Sequence, residues 1–291
     1  MRTLPKQTTS RGALVLRGRA LPWGIRTYVM GIVNVTPDSF SGDGVVDSVG
    51  AVSHALAQRD RGADVLDIGA ESTRPGFAPI DDATERARLL PVIARLRAAD
   101  YAAILSIDTF KAPVYLDAHA AGGDLLNSIW GIDDALLAAC VQTRSPAIIM
   151  HNKRVAMYER DVVDEVLASL AAQAERAVAA GLPPEHVILD PGIGFGKLPE
   201  HNLALLANLD RLVALGFPTL IGTSRKSTIG KLTDRRVDER SYGTAATIAL
   251  AIAAGIDIVR VHDVQEMSDV VRVADAITRG WRPENWNETL P

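Results

Sequence analysis

The chain has 291 residues, 47% of them hydrophobic and 23% charged, which is the composition of a globular protein with room for one large core. Its formal net charge of -4 argues against a general nucleic-acid-binding protein, although a local basic site for a small anion is compatible with it. No stretch approaches about 18 consecutive apolar residues, and no apolar signal segment follows the basic first residues, so we expect no membrane span and a cytoplasmic location.

The first 27 residues precede the regular part of the chain. Residues 1–12 are polar and without periodicity, which predicts a disordered leader. In residues 13–27, two short apolar patches around Pro22 and Gly24 predict a small hairpin that covers the base of the domain. We expect residues 28–280 to form that single domain and residues 281–291 to form a C-terminal tail.

Short runs of apolar and β-branched residues then recur eight times, at 28–33, 64–69, 102–108, 124–129, 146–151, 186–192, 218–222 and 257–262. Apolar residues at helical spacing lie between most of them, as from Val163 to Val178, where Gly181 and Pro183 then supply a stop. Eight strands that alternate with helices over roughly 250 residues fit a (β/α)₈ TIM barrel of the α/β class. A doubly wound sheet fits less well, because it usually has fewer strands and often a G-x-G-x-x-G turn where this chain has NVTPDSF.

Polar residues follow the strands at the barrel end where the active sites of this fold lie. The segment 30–44 (MGIVNVTPDSFSGDG) is rich in side-chain oxygens, and it is either a functional loop or a solvated turn. Each residue alone can be a helix cap, but together they converge on one face. The groups at the other strand ends are Glu71, Ser72, Thr73, Arg74, Asp108, Asn127, Met150, His151, Asn152, Asp190, Ser224, Arg225, Lys226, Arg260 and His262.

The chemistry of these side chains points to a ring that carries a phosphate. Asn127, Asp190 and Lys226 offer donors and acceptors suited to a flat, nitrogen-rich ring such as a pterin or purine. Arg260 and His262 are two residues apart on one strand, so both side chains project to the same side, as suits a phosphate or diphosphate.

Two further residues fit the same ligand. Asn34 is suited to a Mg²⁺ ion that bridges a diphosphate, since Mg²⁺ prefers oxygen ligands and keeps several waters. Asp108 would lie nearer the reacting carbon, where a carboxylate can stabilise developing positive charge. Both expectations require the barrel to bring these strand ends together.

Seven segments, in chain order, resemble the motifs of the dihydropteroate synthase family. The resemblance covers the chain from about Tyr28 to the last helix, and it implies a (β/α)₈ barrel with transferase activity. The implied reaction condenses 6-hydroxymethyl-7,8-dihydropterin diphosphate with p-aminobenzoate, by an SN1-like route, to give 7,8-dihydropteroate and diphosphate in folate synthesis. The segments are NVTPDSFS (34–41), ESTRPG (71–76), SIDT (106–109), LLN (125–127), LDPGIGFGK (189–197), GTSRKS (222–227) and RVHDV (260–264).

The resemblance also implies roles for individual residues. Asn34 matches the magnesium ligand, and Arg260 and His262 match the diphosphate site. Asp108, Lys226 and Arg260 are the residues expected to be catalytic. The pterin contacts and pocket lining correspond to Asp108, Asn127, Asp190, Lys226, Met150 and Phe195. The p-aminobenzoate positions correspond to Phe40, Thr73, Arg74, Pro75 and Ser227, partly on two loops, about 34–45 and 71–80, that close over substrate in the family.

Two departures from the family pattern stand out. Ser128 occupies a position where many members have an acidic residue, and the first loop reads SGDG where SDGG is common. Neither change removes a residue that matches a substrate contact. Sulfonamide sensitivity depends in the family on fine loop geometry around Phe40, Pro75 and Ser227, so the sequence leaves it open.

Other functions remain possible at this point. A catalytically inactive pterin-binding homologue would be expected to lose Asn34, Arg74 or Arg260, and none is lost. A related barrel that binds methylfolates for methyl transfer to a corrinoid needs neither an arylamine site nor a diphosphate grip. A purely structural barrel would leave the polar strand ends unexplained. The resemblance also implies a homodimer formed through the later helices.

Overall fold

Ten strands form a hairpin and a barrel in the computed structural model, which describes residues 12–36, 48–71, 79–283 and 286. The hairpin consists of β1 (Ala13–Leu16) and β2 (Arg19–Pro22), which pair antiparallel. The eight predicted barrel strands are confirmed, within two residues of their expected bounds. They are β3 (Tyr28–Asn34), β4 (Val65–Gly69), β5 (Ile104–Asp108), β6 (Leu125–Ser128), β7 (Ala147–Met150), β8 (Val187–Asp190), β9 (Leu220–Ile221) and β10 (Ile258–Val261).

The sheet closes on itself. Strands β3 to β8 are neighbours in chain order, and β10 and then β9 continue the sheet from the other side of β3. Leu189 of β8 pairs in parallel with Thr219, just before β9, and its N–H donates to the carbonyl oxygen of Pro218 at 2.9 Å. The expected (β/α)₈ barrel of the α/β class is therefore confirmed.

Helices lie between the strands, as the apolar periodicity predicted. Gly255, at φ 103°, ends the helix Ser241–Ala254 in the left-handed conformation that glycine adopts without strain. None of the helices in the described ranges is both long and apolar enough to cross a bilayer. They are α1 (Ser48–Asp60), α2 (Asp82–Ala99), α3 (Ala112–Ala120), α4 (Asp134–Thr143), α5 (Val162–Ala179), α6 (Pro199–Ala207), α7 (Leu209–Val213), α8 (Ser227–Thr233), α9 (Ser241–Ala254) and α10 (Val264–Thr278).

Two apolar cores hold the barrel together. The larger lies between the strands and the helices, and the smaller fills the amino-terminal end of the barrel. The hairpin seals this smaller core with Leu14, Leu21 and Trp23, which pack with the first inward-facing residues of the strands, such as Tyr28 and Val65. The amino-terminal end of the barrel is therefore filled with apolar side chains, and the polar side chains of the strand ends lie at the opposite, carboxyl-terminal end.

Replacing Trp23 with alanine is expected to destabilise the protein by about 3–5 kcal/mol, the usual loss for a large aromatic residue in a core. Trp23 is fully buried, and its ring packs edge-on against the Tyr28 ring with 5.8 Å between the ring centroids. Its Nε1–H donates a hydrogen bond to the Glu185 carbonyl oxygen at 3.0 Å. Urea unfolding would measure the loss. A change below about 1 kcal/mol, the level of a surface substitution, would mean that the hairpin is not part of the cooperative unit.

Candidate active site

The carboxyl-terminal edge of the barrel brings several predicted residues to one level. Parallel register aligns Asn34 with Gly69, Gly69 with Asp108, and Asp108 with Asn127, across the four neighbouring strands β3 to β6. A Cβ on Gly69 would lie only 3.2 Å from the Cβ of Asp108. Glycine therefore keeps open the space between Asn34 and Asp108.

Arg260 of β10 is the centre of an ion cluster inside the barrel. Its Nε donates to Oδ2 of Asp67 at 2.6 Å, and its Nη2 donates to Oδ2 of Asp108 at 3.0 Å. The Asp67 side chain is fully buried, and that of Arg260 is 23% exposed. The guanidinium lies at the predicted edge, but its pairing with two carboxylates was not indicated by the sequence.

Asp108 has an unusual acidity for an aspartate. Burial raises its pKa to about 7, the nearby charge of Asp67 adds to the rise, and Arg260 opposes it. A carboxyl group with this pKa changes charge near neutral pH. Strongly shifted groups of this kind are concentrated at functional sites.

Asn127 of β6 is buried beside the same cluster. Its Nδ2 donates to Oδ2 of Asp67 at 3.0 Å, so one carboxylate oxygen accepts hydrogen bonds from both Asn127 and Arg260. This contact fixes which way the Asn127 amide is turned. The sequence prediction that Asn127 and Arg260 converge is confirmed, with Asp67 as the link between them.

The turn after β8 holds Asp190. Oδ1 of Asp190 accepts a hydrogen bond from the backbone N–H of Gly192 at 2.7 Å, and burial raises the Asp190 pKa to about 6. Gly192 has a φ of 69°, and a Cβ there would lie 2.0 Å from the His151 carbonyl oxygen, so only glycine fits this turn. Met150, which ends β7, is buried beside it.

Lys226 lies against Phe195, as expected for two residues of one pocket. Its Nζ is 4.0 Å from the centroid of the Phe195 ring, within the range of a cation–π contact. Burial lowers the Lys226 pKa to about 8, Arg260 lowers it further, and the Asp190 charge opposes the shift. The ammonium group is therefore close enough to Arg260, Asp190 and Asp108 to interact with their charges.

His262 is held by the loop after β9. The Ser224 hydroxyl lies 2.9 Å from Nδ1 of His262 and accepts a hydrogen bond from the His262 backbone N–H at 3.2 Å. The next residue, Arg225, has a φ of 59°, and its Nε donates to Oδ2 of Asp263 at 3.1 Å. These contacts tie the loops after β9 and β10 together, which places Lys226 and His262 on joined segments.

Several predicted residues are not part of this network as the structure describes it. Ser227 begins α8 with an exposed side chain, and Asn34 is half-buried at the end of β3. The predicted p-aminobenzoate residues Phe40, Thr73, Arg74 and Pro75 lie outside the described residues.

Two residues of this region were missed by sequence reasoning. Asp67 was counted only as part of an apolar strand, although a charged residue inside such a run is itself a signal. Lys197, the last residue of the GFGK segment, donates through Nζ to the carbonyl oxygens of Phe195 at 3.0 Å and His151 at 3.2 Å. Burial lowers the Lys197 pKa to about 7. Lys197 thereby braces the turn that carries Phe195.

A bell-shaped dependence of kcat/KM on pH, with a maximum between about 7 and 8, is expected if the site works with Asp108 ionised and Lys226 protonated. Activity would rise as pH passes the raised pKa of Asp108, and it would fall as pH passes the lowered pKa of Lys226. Steady-state kinetics from pH 5 to 10 would test this. A flat profile across that range would contradict the assignment of these two charge states.

The comparisons with known proteins identify one family. A family model described as "Pterin binding enzyme" matches residues 30–262. The dihydropteroate synthase of Bacillus subtilis (strain 168) is 41% identical over 261 residues, which are 89% of this chain and 91% of that protein.

Solved structures give the same result. The dihydropteroate synthase of Xanthomonas albilineans with 4-aminobenzoic acid superposes with a TM-score of 0.87 at 42% identity, over 94% of this chain and 100% of that one. The same organism's enzyme in complex with 7,8-dihydropteroate gives a TM-score of 0.84 at 40% identity, with the same shares covered. By fold and by sequence, the chain belongs to the dihydropteroate synthase family of pterin-binding enzymes.

Proposed function

We propose that this chain is a dihydropteroate synthase, a transferase that joins 6-hydroxymethyl-7,8-dihydropterin diphosphate to p-aminobenzoate. The observation that carries the proposal is the position of Arg260 between the carboxylates of Asp67 and Asp108 at the open end of the barrel. This arrangement puts a cation suited to a diphosphate next to a carboxylate suited to a developing positive charge. Family membership supports the same activity.

In the proposed site, the pterin ring is recognised by Asn127, Asp190 and Lys226. A carboxylate can accept hydrogen bonds from a ring N–H and the neighbouring exocyclic amine, while the amide and ammonium groups donate to ring nitrogens and the carbonyl oxygen. Met150 and Phe195 supply apolar contacts to the ring. These groups orient the ring so that its methylene carbon faces Asp108.

Bond breaking precedes bond making in the proposed route. The C–O bond to diphosphate breaks and its electron pair leaves with the diphosphate, which Arg260 and His262 hold in place. The resulting methylene cation is delocalised over the dihydropterin ring and stabilised by the negative charge of Asp108. The lone pair of the arylamine nitrogen then forms the C–N bond, and that nitrogen loses a proton. No covalent intermediate with the protein is needed.

Magnesium is proposed to take part through Asn34. Within residues 12–36, 48–71, 79–283 and 286, no group of three or more His, Cys, Asp or Glu side chains could hold a metal ion. A cation here would therefore take few ligands from the described residues and most from diphosphate and water, as Mg²⁺ commonly does. The half-buried amide of Asn34, beside the space that Gly69 keeps open, fits such a single oxygen ligand. When bound, Mg²⁺ would offset negative charge on the leaving diphosphate.

Product analysis tests the proposed reaction. Purified protein would be incubated with the dihydropterin diphosphate, Mg²⁺ and isotope-labelled p-aminobenzoate, and labelled dihydropteroate would be identified by mass spectrometry. Protein that binds the pterin diphosphate but forms no labelled product would instead be an inactive homologue. The cytoplasmic location favoured by the sequence stays a prediction.

A homodimer formed through the later helices is also proposed. Between α9 and α10 lies an almost wholly apolar groove of about 510 Å³. Leu250, Val273 and Ile277 on these two helices are more than 60% exposed. Exposed apolar surface of this kind marks an interaction site, and a two-fold axis can place the same patch of two copies face to face.

Replacing Val273 with aspartate is expected to convert the dimer to a monomer, because a charge would be buried without a partner in the interface. Sedimentation equilibrium would show a mass near 31.1 kDa, that of one chain, instead of twice that value. Val15 in the hairpin is also 61% exposed, so Val15→Asp is a matched control that should leave the dimer intact. A monomeric unmodified protein would rule out the proposed dimer.

A further inference from the structure

Asp67 is a charged residue in the middle of a buried strand, and it touches two residues of the proposed site. Its side chain is fully buried. One of its oxygens, Oδ2, accepts hydrogen bonds from Nε of Arg260 at 2.6 Å and from Nδ2 of Asn127 at 3.0 Å. Arg260 is proposed to hold the diphosphate and Asn127 the pterin ring, so Asp67 connects the residues for both halves of the substrate.

The strand register places Asp67 deeper in the barrel than Asp108. Asp67 is level with Ser106, and Asp108 is two residues further toward the carboxyl edge on the same strand. Arg260 therefore contacts the deep carboxylate through Nε and the outer one through Nη2. An anion that enters from the open edge meets the Nη groups first, and it competes with Asp108 for the arginine and not with Asp67.

The second oxygen of Asp67 lacks an evident structural purpose. Within the described part of the chain, neither Oδ1 of Asp67 nor the hydroxyl of the level residue Ser106 has a hydrogen-bond partner, and both atoms are buried. An unpaired carboxylate oxygen in a protein interior is unfavourable for folding. A role in function accounts for a carboxylate at this position better than a role in stability does.

We propose that Asp67 is a positioning residue that anchors Arg260 by its inner edge and fixes the amide of Asn127. With the inner edge anchored, the substrate diphosphate can take the Nη groups of Arg260 from Asp108 without moving the arginine backbone or its Nε. The carboxylate of Asp108 is then released to face the methylene cation. This inference rests on the proposed function and deepens it.

The variant Asp67→Asn tests the proposal, because it keeps the shape of the side chain and removes its charge. Calorimetry should show that the Kd for the dihydropterin diphosphate is raised about tenfold. Steady-state kinetics should show that kcat is lowered by roughly 10–100-fold, the usual effect of removing a residue that orients the substrate-binding groups without touching the substrate. The KM for p-aminobenzoate should stay within about twofold, since the side-chain contacts of Asp67 in the described part of the chain are to Arg260 and Asn127, which are assigned to the pterin diphosphate. A general disturbance of the fold would change all three quantities.

Asp64→Asn is the matched control. Asp64 lies three residues earlier and pairs with Arg26, through contacts of 2.6 and 3.0 Å, away from the residues of the site. This variant also loses a charged partner of an arginine, but its binding and turnover should match those of the unmodified protein. Equal kinetic losses in the two variants would overturn the proposal, because the loss would then reflect stability alone.

A double-mutant cycle asks whether Asp67 acts through Arg260. If it does, the kcat/KM of the double variant Asp67→Asn with Arg260→Lys should lie within about threefold of Arg260→Lys alone, because interacting residues are not additive. Losses that multiply would overturn the proposal. Should Asp67→Asn fail to fold by circular dichroism, Asp67→Glu keeps the charge but displaces it, and normal pterin affinity in that variant would equally overturn the proposal.

Binding is measured without p-aminobenzoate, so this test does not depend on turnover. An unmodified protein that binds the pterin diphosphate but makes no product would refute the synthase activity. The effect of Asp67→Asn on pterin affinity would still decide the role of Asp67.

Discussion

Replacing Asp108 with asparagine is expected to lower kcat by about a thousandfold, or about 4 kcal/mol of transition-state stabilisation, the upper range for removing one preorganised electrostatic group. Asparagine has the same shape but carries no charge, so the methylene cation would lose its nearest negative charge. Because Asp108 is proposed to stabilise the cation and not the bound diphosphate, the Kd for the pterin diphosphate should change far less than kcat.

The stability of this variant provides the control. Burial raises the folded-state pKa of Asp108 from its ordinary value of 3.8 to about 7, so the folded protein holds this proton more tightly than the unfolded chain does. Stability is therefore lost as pH rises from 3.8 to about 7, and the full loss is present at pH 8. Asparagine removes that unfavourable ionisation, and Arg260 keeps Asp67 as a partner. The melting temperature at pH 8 should therefore be no lower than that of the unmodified protein. An unchanged kcat with a raised KM would contradict the proposed role.

Replacing Arg260 with glutamine is expected to reduce kcat/KM by at least a thousandfold, because the diphosphate loses its main cation and each strong charged contact is worth several kcal/mol. The variant should also be less stable by about 3–5 kcal/mol, since removing one partner of a buried ion cluster leaves the others uncompensated. Asp67 and Asp108 are the two carboxylates left without their arginine.

The pH dependence of this second variant identifies the cause of its instability. Without Arg260, the pKa of Asp108 should rise further above about 7, because the arginine charge opposes the upward shift in the unmodified protein. The loss of stability should therefore be largest at pH 8 and smaller near pH 5, where Asp108 is protonated. Urea unfolding at both pH values measures this. An equal loss at the two values would mean that packing, and not charge, is responsible.

The fold could be predicted from sequence because its determinants are local. Each barrel strand is a short apolar run that is buried on both faces, and the intervening helices carry apolar residues at helical spacing. The count of eight runs then selects a barrel. The positions of Asp108, Asn127, Asp190 and Arg260 followed, because parallel strands bring their carboxyl ends to one edge.

The electrostatic network could not be predicted in the same way, because its contacts join distant parts of the chain. Arg260 is separated from Asp67 by 193 positions and from Asp108 by 152, and no local pattern indicates these pairs. The sequence suggested that the Arg260 side chain would be available to a diphosphate. The structure shows instead that two carboxylates hold it, which makes the exchange of Asp108 for diphosphate part of the proposed mechanism.

The packing of the turns was not predicted from the sequence. A proline and a glycine follow Asp190 in the sequence, but the approach of the His151 carbonyl oxygen that excludes any side chain from Gly192 depends on the neighbouring strand. The brace that Lys197 gives to Phe195 depends on two backbone carbonyl groups. Such contacts are set by tertiary geometry, so residue type alone does not reveal them.

Release of diphosphate is the most direct test of the proposed synthase activity. The purified protein would be given 6-hydroxymethyl-7,8-dihydropterin diphosphate and Mg²⁺, with and without p-aminobenzoate, and diphosphate would be measured by a coupled assay. We predict release that depends on the arylamine, at roughly 0.1 to 10 per second, near or below the common range for enzymes. No release in the presence of p-aminobenzoate, with the pterin diphosphate still bound, would contradict the proposed synthase activity.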